Sequence, residues 1–425
     1  MTRSKVDLLF HSAAQLVTCA SGGRPKRGDS MRDVGIIEDG AVAVADGKIV
    51  EVGSSVELSA KYTPKMMIDA SGKVICPGFV DPHTHVVYAG NRINEFELRI
   101  KGASYMDIMA AGGGIVSTME ATRAASVDEL VADTRPRLDA MLRLGTTTLE
   151  IKSGYGLDVD SELRMLEAVA LLDSSHPCDL IPTFMGAHAV PPEYKNRSFE
   201  YVEVVIREMI PRAAAWYRHS HFYDQNTPFF IDVFCEQNAF NVEESRRILE
   251  AGRAHGMNLK AHVDEFTNLG GVKMALELGA VSVDHLDVTG AEEIYLLAES
   301  GTTAVVIPAV NFNLGSTHFA DARAMIDAGV ALALTTDMNP GSAPCPSMPF
   351  VMALACRYQK LLPSETLNAC TINAACAIGM EKQVGSLESG KQADMLLLNV
   401  PDYRYLAYQF GDNLVEQVIK RGKIL

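Results

Sequence analysis

The stretch 76–85, CPGFVDPHTH, closes an apolar run with a proline–glycine pair and then sets two histidines one residue apart. Side chains at i and i+2 of an extended strand point the same way. His83 and His85 therefore project together from one strand end. Alone, such a pair reads as a polar strand terminus with unrelated imidazoles or as half of a metal site. The rest of the chain decides.

Downstream, the sequence alternates between two textures. Short runs rich in β-branched residues recur: GTTTLEIK (145–152), DLIPTFMG (179–186), FIDVFC (230–235), NLKAHV (258–263), AVSVDH (280–285), TTAVVI (302–307) and VALALTT (330–336). Segments with helical apolar spacing lie between them, at 127–144, 161–173 and 241–256. With the stretch ending at His85 there are about eight strand–helix units over roughly 260 residues, the size of a (β/α)8 TIM barrel. Near-continuous apolar strands suit a parallel sheet covered by helices. A doubly wound open sheet would show a glycine-rich phosphate turn after its first strand, and here that strand ends in His-Thr-His.

The two ends of the chain differ from the middle. DGAVAVADGKIVEVG (39–53) alternates about an Asp-Gly turn, a hairpin signal, and the segments 385–400 and 415–425 are strand-like with glycine turns. Residues 1–74 and 382–425 are read as one small β-sandwich module built from both termini, and 75–381 as the barrel. The segment 211–230, with Trp216, His219 and His221, reads as an unusually long helix-to-strand connection.

Bulk properties narrow the function. The chain has 425 residues, 48% of them hydrophobic, enough for a large core plus a smaller module. Its 53 acidic against 38 basic residues give a formal net charge of -15, which argues against nucleic acid or an anionic membrane as partner. A small anionic substrate needs only one or two local arginines. Eight scattered cysteines without a CxxC pair suit reduced thiols in a cytoplasmic protein. The N-terminus lacks the apolar core of a signal peptide, and no apolar run has the ~18 residues of a membrane span.

Barrel chemistry sits at the C-terminal strand ends. His83 and His85, His188, His262, His285 and Asp337 all stand there. One histidine at a strand end is ordinarily structural; five with an aspartate are not what packing selects. Three imidazoles and a carboxylate suit a single divalent ion, Zn or Fe, and we expect His83, His85, His262 and Asp337 to hold it. A second ion would need a bridging group, typically a modified lysine at the end of the fourth strand, where this chain has Cys235 and Glu236. Such an ion lowers the pKa of a water toward ~7, making it a nucleophile. Glu265 is then the candidate proton shuttle and His285 the candidate for positioning water or stabilising the oxyanion, with Asp337 counted among the catalytic groups. Asp264 is read as a surface loop carboxylate, and His11, His176, His219, His221, His255 and His318 as structural.

Two glycine-rich stretches, AAGGGIVST (110–118) and KSGYG (152–156), match neither phosphate-loop pattern. The first is read as a flexible loop over the barrel mouth, and the second carries Tyr155 over the site. Arg92, just past the histidine pair, suits a bidentate clamp on a substrate carboxylate, whereas Arg99 reads as an ordinary surface residue.

The stretches DPHTHVVYAGNRINEFELR, AGGGIVSTMEATRAAS, EIKSGYGLD, GAHAVPPEY, HVDEFTNLGG and TTDMNPGS cover most of the barrel. Together they resemble the amidohydrolase superfamily and, more narrowly, its imidazolonepropionase family. That resemblance implies hydrolysis of a cyclic amide: 4-imidazolone-5-propanoate opens to N-formimidoyl-L-glutamate with Zn or Fe, the third step of histidine degradation. By resemblance the metal ligands fall on His83, His85, His262 and Asp337. Substrate contacts fall on Arg92, Tyr155, His188 and Glu265, product contacts on Asn339, Gly341 and Ser342, and a catalytic role on His285. The resemblance also implies a homodimer. Two features depart from the family: the length of 213–228, and Cys345, eight positions past Asp337 in a proline-rich loop, which is given no role. A mononuclear aminohydrolase of purine or pyrimidine bases would use the same ligands, with Glu265 and His285 as proton carriers. A scaffold that had lost catalysis would lack ligand residues, and all four are present.

Overall fold

The computed structural model describes residues 3–102 and 113–425, so the expected glycine-rich loop lies partly outside the described residues. Eight parallel strands follow one another in chain order: β1 (Phe79–Asp81), β2 (Thr146–Lys152), β3 (Asp179–Ala187), β4 (Phe230–Cys235), β5 (Asn258–Val263), β6 (Ser282–His285), β7 (Thr303–Val306) and β8 (Leu332–Leu334). Every residue of β2 and β3 is buried, as expected for strands covered on both faces. The seam between β8 and β1 is made mainly by side chains, with one backbone bond beside them. Asp81 accepts the hydroxyls of Thr335 and Thr336 and the Thr336 amide, and His85 N–H donates to Met338 O at 2.9 Å. The fold is the expected (β/α)8 barrel.

The covering helices start where short polar side chains can cap them. Ser126 and Glu129 form a capping box before Val127–Arg143, and Asn241 with Glu244 does so before Val242–Ala254. The first of these helices buries Leu130, Thr134, Leu138 and Met141, one stripe at helical spacing.

The long segment before β4 is not an irregular connection. It folds as helices Ile210–His219 and His221–Asp224, burying Ala213, Ala214 and Phe222, while Tyr217 stacks on Phe229 at 4.8 Å. Small and aromatic residues masked its amphipathic period. His219 and His221 hydrogen-bond Ala215 O and Asp173, so both serve local structure.

Both termini build the remaining strands. One sheet orders Lys48–Ser54, Gly40–Ala45, Ser4–Ala13 and Tyr62–Asp69; the other runs from Lys423–Ile424 through Val415–Lys420, Met395–Leu398, Val74–Pro77 and Gln15–Val17 to Ile36–Ile37. Leu8, Phe10 and Val42 of the first meet Ile75, Met395 and Ile419 of the second in one core. The Asp46-Gly47 turn holds both residues at positive φ (51° and 73°), the twist a tight hairpin requires. Among the described residues no helix is long and apolar enough to cross a membrane.

Candidate metal centre

The barrel brings His83, His85, His262 and Asp337 to one point. The ligand atoms of the three histidines lie within 4.8 Å of one another, as do those of His83, His285 and Asp337. His83 Nε2 stands 3.4 Å and His85 Nε2 3.8 Å from Asp337 Oδ1, and His262 Nε2 is 3.4 Å from His85 Nε2. Donors around a tetrahedral zinc at ~2.1 Å stand roughly 3.4 Å apart, so these three separations suit such an ion. The stronger observation concerns hydrogen bonding. His83 Nε2 and Asp337 Oδ1 are fully buried and have no hydrogen-bond partner among the described residues. Unpaired buried polar atoms cost about 1–3 kcal/mol each, and a cation would satisfy both. Asp337 and His285 both hold left-handed φ (47° and 83°), uncommon for residues with a Cβ and costly enough to need support around them.

The far nitrogens of two imidazoles are held by acids. Asp284 accepts from His83 Nδ1 at 2.7 Å, and Asp232 from His262 Nδ1 at 3.0 Å. This places the protons on Nδ1 and leaves Nε2 bare. His85 is oriented differently, by stacking on His188 with ring centroids 4.7 Å apart. His188 Nδ1 in turn meets Gly154 O at 3.0 Å, and the buried Tyr155 ring lies 5.4 Å from His188.

Glu265 reaches the same mouth, its carboxylate 3.7 Å from His285 Nε2. Burial, reinforced by the Asp337 charge, pushes its carboxyl well above the ordinary range. Its loop is fixed by Glu236, which accepts the Phe266 and Thr267 amides at 3.0 Å. Asp264 is not a surface carboxylate: it is buried and accepts Thr289 Oγ1 at 2.9 Å, which ties this loop to the one after β6.

Arg92 does not stand free. It makes a two-point pair with Glu95 (Nε–Oε2 2.7 Å), and Glu95 also accepts the Gly114 amide at 2.8 Å. A Cβ at Gly341 would meet the Arg92 guanidinium, so a larger residue there would push Arg92 out of its present position. Asn339 shapes that loop: its amide donates to Asp337 O and Ser342 Oγ, and its carbonyl accepts the Gly341 and Ser342 amides. Arg99 is likewise no surface residue, because it donates to Gly341 O at 2.9 Å and joins Arg92 at the same loop. The expected substrate contacts thus form two groups: Tyr155 with His188 beside the imidazoles, and Arg92 against the Asn339–Ser342 loop.

Sequence reasoning missed the layer beneath the imidazoles: Glu150, Lys152, Asp232, Lys260 and Asp284, all fully buried. The signal was present in each strand, as a charged residue inside an apolar run: EIK, FID, LKA and VDH.

The amidohydrolase family model matches residues 74–425. Imidazolonepropionase of Chloroflexus aggregans is 56% identical over 419 residues, covering 99% of this chain and 98% of that protein. Imidazolonepropionase of Herpetosiphon aurantiacus is 53% identical, covering 99% and 97%. A crystal structure of an adenosine deaminase from Xanthomonas campestris with bound zinc superposes with TM-score 0.70 at 20% identity, covering 100% of this chain and 93% of that one, a likeness of fold alone. By model match and near-full-length identity, the chain belongs to the amidohydrolase family and, within it, to the imidazolonepropionases.

Proposed function

We propose that this protein hydrolyses the ring C–N bond of 4-imidazolone-5-propanoate to N-formimidoyl-L-glutamate, the third step of histidine degradation. One ion, Zn or Fe, would be held by His83, His85, His262 and Asp337. The observation that carries the reading is a chain 56% identical to an imidazolonepropionase whose buried His83 Nε2 and Asp337 Oδ1 have no hydrogen-bond partner among the described residues. A bound divalent ion supplies Lewis-acid polarisation of the ring carbonyl and brings the attacking water close to neutral pKa.

The protein's own groups do the rest. Glu265 takes the proton of the attacking water and returns it to the ring nitrogen as the C–N bond breaks. His285, beside that carboxylate, orients the water and hydrogen-bonds the developing oxyanion. The attacked carbon leaves as a new carboxylate, so one water is consumed and no other co-reactant is needed. Tyr155 and His188 fix the ring heteroatoms. Arg92, its Nε edge held by Glu95, offers Nη1 to the propanoate carboxylate. Asn339, Gly341 and Ser342 shape the wall that receives the product. Eight free cysteines support a reducing, cytoplasmic setting. Assembly as a homodimer goes with the family.

The test is turnover of imidazolone propanoate by purified protein with its metal quantified. We expect formation of N-formimidoyl-L-glutamate in proportion to one bound ion per chain. Metal-loaded protein that leaves this substrate intact but releases ammonia from a purine or pyrimidine base would replace this reading with the deaminase one. Folded, active protein without metal would remove the ion from it.

A further inference from the structure

Below the imidazoles the barrel is filled with charge where hydrocarbon would serve. Lys152 is wholly buried, and its Nζ donates to Asp232 at 2.6 Å and Glu150 at 2.9 Å, with Asp284 at 3.5 Å. These residues rise from β2, β4 and β6, the alternate strands that share one inward layer in such barrels. Both aspartates face a second way: Asp232 receives His262 Nδ1, and the Asp284 oxygen nearest Lys152 also receives His83 Nδ1. A single ammonium therefore joins the two carboxylates that orient two metal-facing imidazoles.

Asp232, His262 and Asp284 are themselves a set of donors within 4.8 Å of one another, suited to a cation. Lys152 already supplies one. Burial pulls its pKa down, but the Asp232, Glu150 and Asp284 charges outweigh that and hold it above the ordinary lysine value. Ion pairs at this depth are not required for stability, since packed apolar residues serve as well or better. Hydrocarbon could not fix the proton on a particular imidazole nitrogen.

We propose that Lys152 is a positioning residue for the metal centre. Resting on the reading that His83 and His262 are ligands, its ammonium locks Asp232 and Asp284 so that both imidazoles present bare Nε2 to one ion. It also supplies the positive charge that Asp232 and Asp284 would otherwise draw from a cation.

The test uses the full-length protein with Zn(II) and Co(II) as probes. Lys152→Met should weaken Zn(II) binding by about 10–100-fold, the scale for losing a group that orients ligands, in competition with a chromophoric chelator. It should also shift the visible bands of the Co(II) form, a readout that general destabilisation leaves alone. Lys420→Met is the control: its buried ammonium also pairs with two acids, Asp179 and Asp394, neither of which holds an imidazole, so its loss should leave affinity and spectrum near wild type. If Lys152→Met does not fold, Asp284→Asn decides. It is nearly isosteric, removes one charge from an acid-rich cluster, and should lose the same 10–100-fold. A folded Lys152→Met protein, or failing that Asp284→Asn, with wild-type Zn(II) affinity and Co(II) spectrum overturns the proposal while leaving the functional reading intact. Wild-type protein that binds neither ion overturns both.

Discussion

Lys152 inside the barrel and Lys420 beneath the terminal sheet have nearly the same surroundings. Lys420 donates to Asp179 at 2.7 Å and Asp394 at 2.6 Å, and all three side chains are buried. The two clusters differ in how they end. Around Lys420, Asp179 is further closed off by Arg421 and Gln392, and the knot ties the terminal sheet to the start of β3. Around Lys152 the chain of bonds continues through Asp284 to His83 and stops at a buried nitrogen with no hydrogen-bond partner among the described residues. Buried charge by itself therefore does not distinguish a working site from a structural weld. What distinguishes them is whether every polar atom is already satisfied.

Lys420→Met should show the largest effect, and only on stability. Stranding two buried acids costs about 3–5 kcal/mol, read by chemical denaturation, while the folded fraction keeps its turnover and metal content. Loss of activity per folded molecule would blur the contrast. Glu265→Gln probes the open cluster, with turnover lowered by at least ~10² and metal content unchanged; near-normal turnover would take Glu265 out of the proton path. Arg92→Lys should raise KM roughly tenfold without altering metal content, because a single ammonium cannot keep the two-point Glu95 pair and also present a donor where Nη1 stands. An unchanged KM would place the carboxylate clamp elsewhere, with Arg99 the next candidate.

Asp287 offers a third, smaller case, a buried acid whose main partners are Asn311 and the Ala320 amide. Burial pushes its carboxyl up to about 7. Below ~4 both folded and unfolded states hold the proton, so Asp287 then adds no pH dependence. Between there and about 7 only the unfolded state readily releases it, so folding loses ground as pH rises. Asp287→Asn should therefore stabilise the protein by on the order of 1 kcal/mol at pH 8, with the gain vanishing in acid. A gain independent of pH would mean that the ionisation is not its source.

The barrel and the four converging donors were legible in the sequence because both depend on local signals. Strand runs have a period, and a ligand at a strand end follows directly from where the run stops. The helix Ile210–His219 was not legible, because its buried face is short of large aliphatic residues, with two alanines beside Ile210, and Trp216 and Tyr217 find their packing only against Phe222 and Phe229 further along the chain. Arg99 and Asp264 were misjudged for another reason: their burial comes from loops that approach only after the barrel closes. The charged layer was visible as isolated Lys, Asp and Glu inside apolar strands. Its meaning depends on which strands face one another across the interior, which a linear reading does not supply.

The seam between Thr335, Thr336 and Asp81 has a consequence during synthesis. It joins positions more than 250 residues apart in the chain, and the Asp337 donor lies directly beyond it. Until residue 337 has been made and β8 lies beside β1, Asp337 cannot join the three imidazoles, so a chain cut short before it lacks the carboxylate of the group. Closing the barrel and completing the group of four side chains are in this sense one event.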